Sequence, residues 1–268
     1  MTVMADVRAE VPAGGGHRPA YLVFCDVDET LIDRKSMFEF LRFQLVRRHG
    51  DAGEERYRSI QGDLRGRAAS GTPREVVNRQ YYRSYAGESA AEMTALGREW
   101  FSLALATDPG FFIATTVAEL DRHRAAGAEI VLVSGSFPPC LEPIAAHIGA
   151  RHILCTTPDV ADGRYTGEVP EPVIGEGKRA AVLRMLAEHP GVNPLDCYAY
   201  GDHPSDFPML DCVGHPRLVG DDPAVRGYVD RRARRAEAAV SGCALACWSM
   251  GRDEHCEDCS GQCALPSS

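Results

Sequence analysis

Three short apolar blocks, each followed at once by a turn of acidic or small residues, constrain this chain more than any other feature. They are Tyr21-Leu22-Val23-Phe24-Cys25, Glu129-Ile130-Val131-Leu132-Val133 and the segment from Asp196 to Tyr200. Each is continuous and rich in β-branched or aromatic residues, and each is too short for a buried helix, so each reads as a strand buried on both faces. Further strands are expected at His152 to Cys155 and near 213–219, with a small hairpin arm from Arg164 to Val169. Helix-periodic stretches lie between them, at 115–126, 138–148, 177–188, 204–211 and 223–238. Strand alternating with helix gives an α/β fold, a parallel Rossmann-like sheet with helices on both faces.

One segment breaks the alternation. After Ser36, a candidate N-cap, Met37, Phe38, Phe40, Leu41, Leu45 and Val46 recur at helical spacing. Further helices are expected at 54–69, 73–86 and 89–106, the second opened by Pro73 and the set closed by Pro109-Gly110. Nothing strand-like falls between 34 and 110, so an all-helical insertion after the first strand is expected. The organisation read from this is a disordered, Gly- and Pro-rich lead-in at 1–19 and an α/β core at 20–33 plus 115–238. A helical cap at 34–114 and a Cys-rich tail at 239–268 complete it.

Composition excludes several classes. The 268 residues are 44% hydrophobic and 25% charged, as in an ordinary globular protein. The formal net charge of −9 argues against a nucleic-acid or anionic-membrane binder. No apolar run approaches the roughly 20 residues of a membrane span, and the first twenty residues lack a signal-peptide core. A cytoplasmic protein is expected. Cys25, Cys140, Cys155, Cys197 and Cys212 are scattered through apolar stretches and read as small buried hydrophobes in a reducing compartment.

The turns carry the chemistry. Asp26-Val27-Asp28-Glu29-Thr30, Ser134-Gly135-Ser136 and Gly201-Asp202-His203-Pro204-Ser205-Asp206 each follow a strand. In an open α/β sheet such turns converge on one crevice at the carboxyl ends of the strands. Asp26, Asp28, Asp202 and Asp206 would crowd there with Lys178 as the cation, an arrangement that calls for a bound cation. An oxygen-rich donor set suits Mg²⁺ together with substrate phosphate. Ser134 and the Gly135 backbone N–H offer neutral donors, and Asp26 and Asp28 can divide the work of nucleophile and acid/base.

These elements resemble the haloacid dehalogenase superfamily. Its four ordered motifs correspond to Asp26-Val27-Asp28-Glu29-Thr30, Ser134, Lys178 and Gly201-Asp202-x-x-x-Asp206. The helical insertion, Lys35 to Leu41 and Asp206 to Leu210 look similar to the phosphoserine-phosphatase-like subgroup, subfamily IB. The resemblance implies a phosphatase of a small phosphorylated metabolite. Asp26 would form an aspartyl-phosphate and Asp28 would serve as acid and then base. Mg²⁺ would be held by Asp26, the backbone carbonyl of Asp28, and Asp202, with Asp206 in support. Thr30, Ser134, Gly135 and Lys178 would bind phosphate. Asp28 matters within the resemblance: dehalogenases lack this second Asp and ion-pumping ATPases carry Thr there, so turnover of a phospho-enzyme is implied. No set of phosphoserine-recognising residues is matched in the cap, so that substrate does not follow. Phosphoryl transfer to an acceptor hydroxyl, or a non-catalytic binding protein with a metal-binding tail, are the alternatives.

Two residue choices add weight or contrast. Lys35 and Lys178 are the chain's only lysines, all other fixed cations being Arg. A compact ammonium is not interchangeable with the Arg fork, which singles out Lys178; Lys35 reads as a surface charge. The stripe Met37/Phe38/Leu41/Leu45 and the tyrosines Tyr81, Tyr82 and Tyr85 read as cap packing, and the cap arginines as a solvated face. In the tail, Cys243, Cys247, Cys256, Cys259 and Cys263, with His255 among them, could hold Zn²⁺ or form a set of reactive thiols.

Overall fold

A computed structural model describes residues 19–220 together with 223, 227, 228 and 232. The expected lead-in up to residue 18, most of the expected helix at 223–238 and the Cys-rich tail lie outside the described residues. Five parallel strands form the central sheet: β1 (Leu22–Cys25), β2 (Glu129–Ser134), β3 (His152–Cys155), β6 (Tyr198–Gly201) and β7 (His215–Leu218), in the order β3-β2-β1-β6-β7. β1 is fully buried from Leu22 to Cys25, as its unbroken apolar run requires.

Helices α5 (Ala114–Ala125), α6 (Pro138–Ile148), α7 (Glu176–Glu188) and the short α8 (Phe207–Leu210) alternate with these strands. Two expected elements shift. The strand expected from Asp196 begins at Tyr198, because Pro194–Asp196 forms a 3₁₀ turn in which the Asn193 side chain accepts from the Leu195 N–H. The hairpin arm pairs β4 (Val160–Ala161) with β5 (Arg164–Tyr165), four residues upstream of where it was expected, since Asp162 and Gly163 both take left-handed conformations and make the turn.

The inserted segment is helical throughout: α1 (Ser36–His49), α2 (Asp51–Ala69), α3 (Arg74–Tyr82) and α4 (Ala90–Thr107). Its two connections run side by side. The Asp33 N–H donates to Phe111 O at 3.1 Å and the Ile113 N–H to Leu31 O at 2.9 Å, so the chain leaves and re-enters the sheet layer at one place. Phe40, Leu41 and Leu45 of α1 are buried, while Met37 and Phe38 are partly buried against the same core. Tyr81, Tyr82 and Tyr85 join Phe40, Phe137 and Tyr165 in one aromatic cluster with ring centroids about 5–6 Å apart. The cluster packs α1 and α3 onto the start of α6. All five described cysteines are free thiols, and Cys25, Cys140 and Cys197 are buried. Among the described residues no helix is long and apolar enough to cross a membrane.

His123 closes the core beneath the sheet. Its Nδ1 lies 2.9 Å from the Tyr21 hydroxyl and its Nε2 2.9 Å from the Tyr200 hydroxyl. Burial holds its pKa below the usual imidazole value. The folded protein therefore keeps His123 neutral where the unfolded chain takes up a proton. Its contribution to stability is complete above the unfolded pKa of about 6.5 and falls as the pH drops below it. His123→Gln is expected to flatten the fall in melting temperature between about pH 7 and about pH 5; an unchanged slope would remove His123 as its source.

Candidate active site

Four elements of the sheet layer deliver the charged residues. Asp26 follows β1, with its N–H donating to Tyr200 O of β6 at 3.0 Å. Asp202 follows β6, Asp206 ends the 3₁₀ turn Pro204–Asp206, and Lys178 stands in the first turn of α7. Lys178 Nζ lies 2.7 Å from Asp26 Oδ1 and 2.7 Å from Asp206 Oδ1, and its side chain is almost wholly buried. Carboxylate oxygens of Asp26, Asp202 and Asp206 all lie within 4.8 Å of one another. Gly201 makes the last approach possible: a Cβ there would meet Asp206 Cβ at 2.6 Å.

Electrostatics in this crevice are dominated by burial. It pushes the Asp26 carboxyl up, Lys178 pulls the other way, and Asp206 and Asp202 add to the push. Burial alone would lower the Lys178 pKa, but its two carboxylate partners outweigh that and keep it charged. Burial also raises Asp202, against the hydrogen bond from Thr30. Asp28 is pushed up to about 6 by burial, opposed by its hydrogen bonds from Ser36 and by Lys35 and Lys178. The Ser36 N–H that opens α1 donates to Asp28 Oδ1 at 3.0 Å, so the helical insertion itself orients this carboxylate.

The second turn is held from both sides. Ser134 Oγ accepts from the Ser136 N–H at 3.0 Å, and Ser136 Oγ lies 3.0 Å from Ser36 Oγ. The Gly135 carbonyl accepts from Asn78 Nδ2 at 3.0 Å and from the Tyr82 hydroxyl at 2.9 Å, both on α3. A Cβ on Gly135 would come within 2.8 Å of the Ile174 side chain, which would have to shift to admit it. Asn78 Oδ1 is buried with no hydrogen-bond partner.

The structure thus brings Asp26, Asp28, Ser134, Gly135, Lys178, Asp202 and Asp206 to one crevice. Thr30, expected at the phosphate, donates its hydroxyl proton to Asp202 Oδ1 at 2.7 Å from a fully buried position. It stands behind the carboxylate. Lys35 pairs with Glu29 at 2.7 Å and both are half exposed, a surface ion pair. Sequence reasoning missed Ser36, Asn78 and Tyr82. The signal for Asn78 was a polar residue at helical spacing with the apolar Tyr81 and Tyr82 (offsets of three and four), a position that burial forbids without a partner.

Three carboxylates crowd around one ammonium, and the candidate ligands Asp26, Asp202 and Asp206 all offer oxygen. That donor set and its uncompensated charge fit a hard divalent cation such as Mg²⁺.

Comparison with known proteins bears on the family and the fold. The model of the haloacid dehalogenase-like hydrolase family matches residues 23–211. The phosphoserine phosphatase SerB1 of Mycobacterium tuberculosis is 31% identical over 241 residues, covering 85% of this chain and 75% of that protein. A crystal structure of a protein of unknown function from Bordetella pertussis Tohama I superposes with a TM-score of 0.69 at 28% identity, covering 80% of this chain and 96% of the other. A substrate-bound phosphoserine phosphatase has the same fold, with a TM-score of 0.57 at 18% identity over 79% of this chain and 91% of the other. Stronger local matches, at 40–42% identity, run over 108–120 residues and span only 38–39% of those relatives' length.

Proposed function

Because the chain belongs to the haloacid dehalogenase-like hydrolases, we propose that it is a Mg²⁺-dependent phosphomonoesterase of a small phosphorylated metabolite, working in the cytoplasm. The observation that carries this reading is the buried Lys178 ammonium, 2.7 Å from both Asp26 and Asp206, beside Asp28 held by the Ser36 N–H. Asp26, Asp202 and the backbone carbonyl of Asp28 would hold Mg²⁺, with Asp206 in support, and the ion would neutralise charge on the phosphoryl oxygens.

In the first step Asp26 attacks phosphorus. An oxygen–phosphorus bond forms to its carboxylate, the bond to the ester oxygen breaks, and Asp28 gives its proton to the leaving alkoxide. Asp28, now ionised, takes a proton from water. That water attacks the aspartyl-phosphate and releases inorganic phosphate and the Asp26 carboxylate. Lys178 and Ser134 stabilise the transferring phosphoryl group. Ser134 Oγ already accepts from Ser136, which leaves its own hydroxyl proton for a phosphate oxygen. Thr30 positions Asp202, and Asp206 positions Lys178. On this reading residues 34–114 are a cap that covers the substrate, on a core of 20–33 and 115–238.

Hydrolysis of para-nitrophenyl phosphate with Mg²⁺ tests the reaction class, and a panel of phosphorylated metabolites tests the substrate class. Lys178→Arg tests the site. One ammonium reaches two carboxylates from different elements, and a planar guanidinium cannot place its charge at the same point. The swap is expected to lower turnover about 10²-fold or more, the usual cost of losing one transition-state donor. Wild-type turnover in a folded Lys178→Arg protein would refute the assigned role, since Arg is this chain's habitual cation.

A further inference from the structure

At the opposite end of the sheet from the crevice, three potential metal ligands meet. Glu129 is the first residue of β2, His152 the first of β3, and His189 follows the last residue of α7. One donor atom from each lies within 4.8 Å of the other two. Along α7, His189 is eleven residues beyond Lys178, about 16 Å of helix, so this cluster is separate from the carboxylate site.

The orientation of the donors suits a shared ion. His189 Nδ1 lies 2.8 Å from the Met185 carbonyl. A carbonyl only accepts, so Nδ1 carries the proton and Nε2 presents its lone pair, which is how metal-ligating histidines are held. His152 Nε2 lies 3.1 Å from Glu129 Oε2. Two ligands of a tetrahedral Zn²⁺ stand about 3.3 Å apart, given zinc–nitrogen and zinc–oxygen bonds near 2.0–2.1 Å. The His152 and His189 ring centroids are 5.8 Å apart at 77°, close to the roughly 5 Å expected for two imidazoles sharing one tetrahedral ion. Glu129 Oε1 faces Arg151 Nε at 3.7 Å, which leaves Oε2 on the histidine side.

We propose that Glu129, His152 and His189 form a Zn²⁺ site that clips the amino ends of β2 and β3 to the carboxyl end of α7. Three protein ligands leave the fourth position to water. Two imidazoles and one carboxylate suit Zn²⁺, whereas the all-oxygen crevice suits Mg²⁺, so the two sites sort their metals by donor type. Binding would replace the 3.1 Å contact between His152 Nε2 and Glu129 Oε2 by a bond from each to the ion. The elements joined carry Ser134 at the far end of β2 and Lys178 at the start of α7, so the clip would brace both.

The test is a Zn²⁺ titration of the metal-free full chain, followed by calorimetry and by thermal melting. A background with Cys→Ser at the five tail positions removes thiolate binding from the measurement. One Zn²⁺ per chain is expected, with a rise in melting temperature. His189→Gln and, independently, Glu129→Gln are expected to weaken binding tenfold or more and to abolish the rise, while Mg²⁺-dependent hydrolysis persists in both. Absence of Zn²⁺ binding in the tail-substituted background, or wild-type affinity in either variant, would overturn the site. Because the readout is metal affinity, this outcome is independent of whether the crevice hydrolyses phosphate esters.

Discussion

Asp26→Asn is expected to lower phosphatase turnover by about three orders of magnitude or more, as removal of a covalent nucleophile does. The amide has the carboxylate's shape but not its negative charge, so it is too weak a nucleophile to form the bond to phosphorus. The fold should survive. Asp26 shares its buried space with Asp202 and Asp206, and removing one of three neighbouring charges relieves repulsion while Lys178 keeps its 2.7 Å contact to Asp206. Asp28→Asn makes the contrast. It too should lose turnover, but with Asp26 intact the phospho-enzyme should accumulate and show in the intact mass. Turnover at the wild-type level in Asp26→Asn would end the mechanism proposed above.

Withdrawal of divalent metal is expected to be as severe. In excess chelator hydrolysis should fall to background, a loss of roughly 10³-fold if the ion contributes several kcal/mol of charge stabilisation. Added Mg²⁺ should restore it. The reason lies in the charge balance of the crevice: carboxylate oxygens of Asp26, Asp202 and Asp206 lie within 4.8 Å of one another, and one ammonium, Lys178, pairs with Asp26 and Asp206. An anionic phosphate ester would meet excess negative charge there unless a cation offset it. Ca²⁺ should not substitute, because it takes more ligands at longer distances than Mg²⁺. Activity that persists at full rate in excess chelator would contradict a metal-dependent site.

How much of this was legible in the sequence differs from residue to residue, for physical reasons. Asp26, Ser134 and Asp202 were visible because each ends an apolar run that can only be a buried strand, and the carboxyl ends of parallel strands share one edge. Lys178 was visible through its rarity. Thr30 was placed in the right turn, but its hydrogen bond to Asp202 was not foreseen. A local motif shows proximity in the chain, while the acceptor of its hydroxyl, Asp202, is 172 residues away. Asn78 and Tyr82 were read as cap residues or not singled out, although they hold the Gly135 carbonyl. Contacts between helix α3 and the turn after β2 depend on how two layers dock, and no periodicity encodes that.

The sequence by itself determined the strand–helix alternation, the helical insertion and the three turns that carry acid and hydroxyl groups. It could do so because hydrophobic periodicity and turn chemistry act over a few residues. Only the tertiary structure decided the strand order, the single ammonium between two carboxylates, and the Ser36 N–H that orients Asp28 from outside the sheet. It also decided that Glu129, His152 and His189, unremarkable where they stand in the chain, meet at the far end of the sheet. Those arrangements follow from burial and packing between segments distant in sequence, where the geometry of a hydrogen bond or ligand set is fixed to tenths of an ångström only once the core has closed.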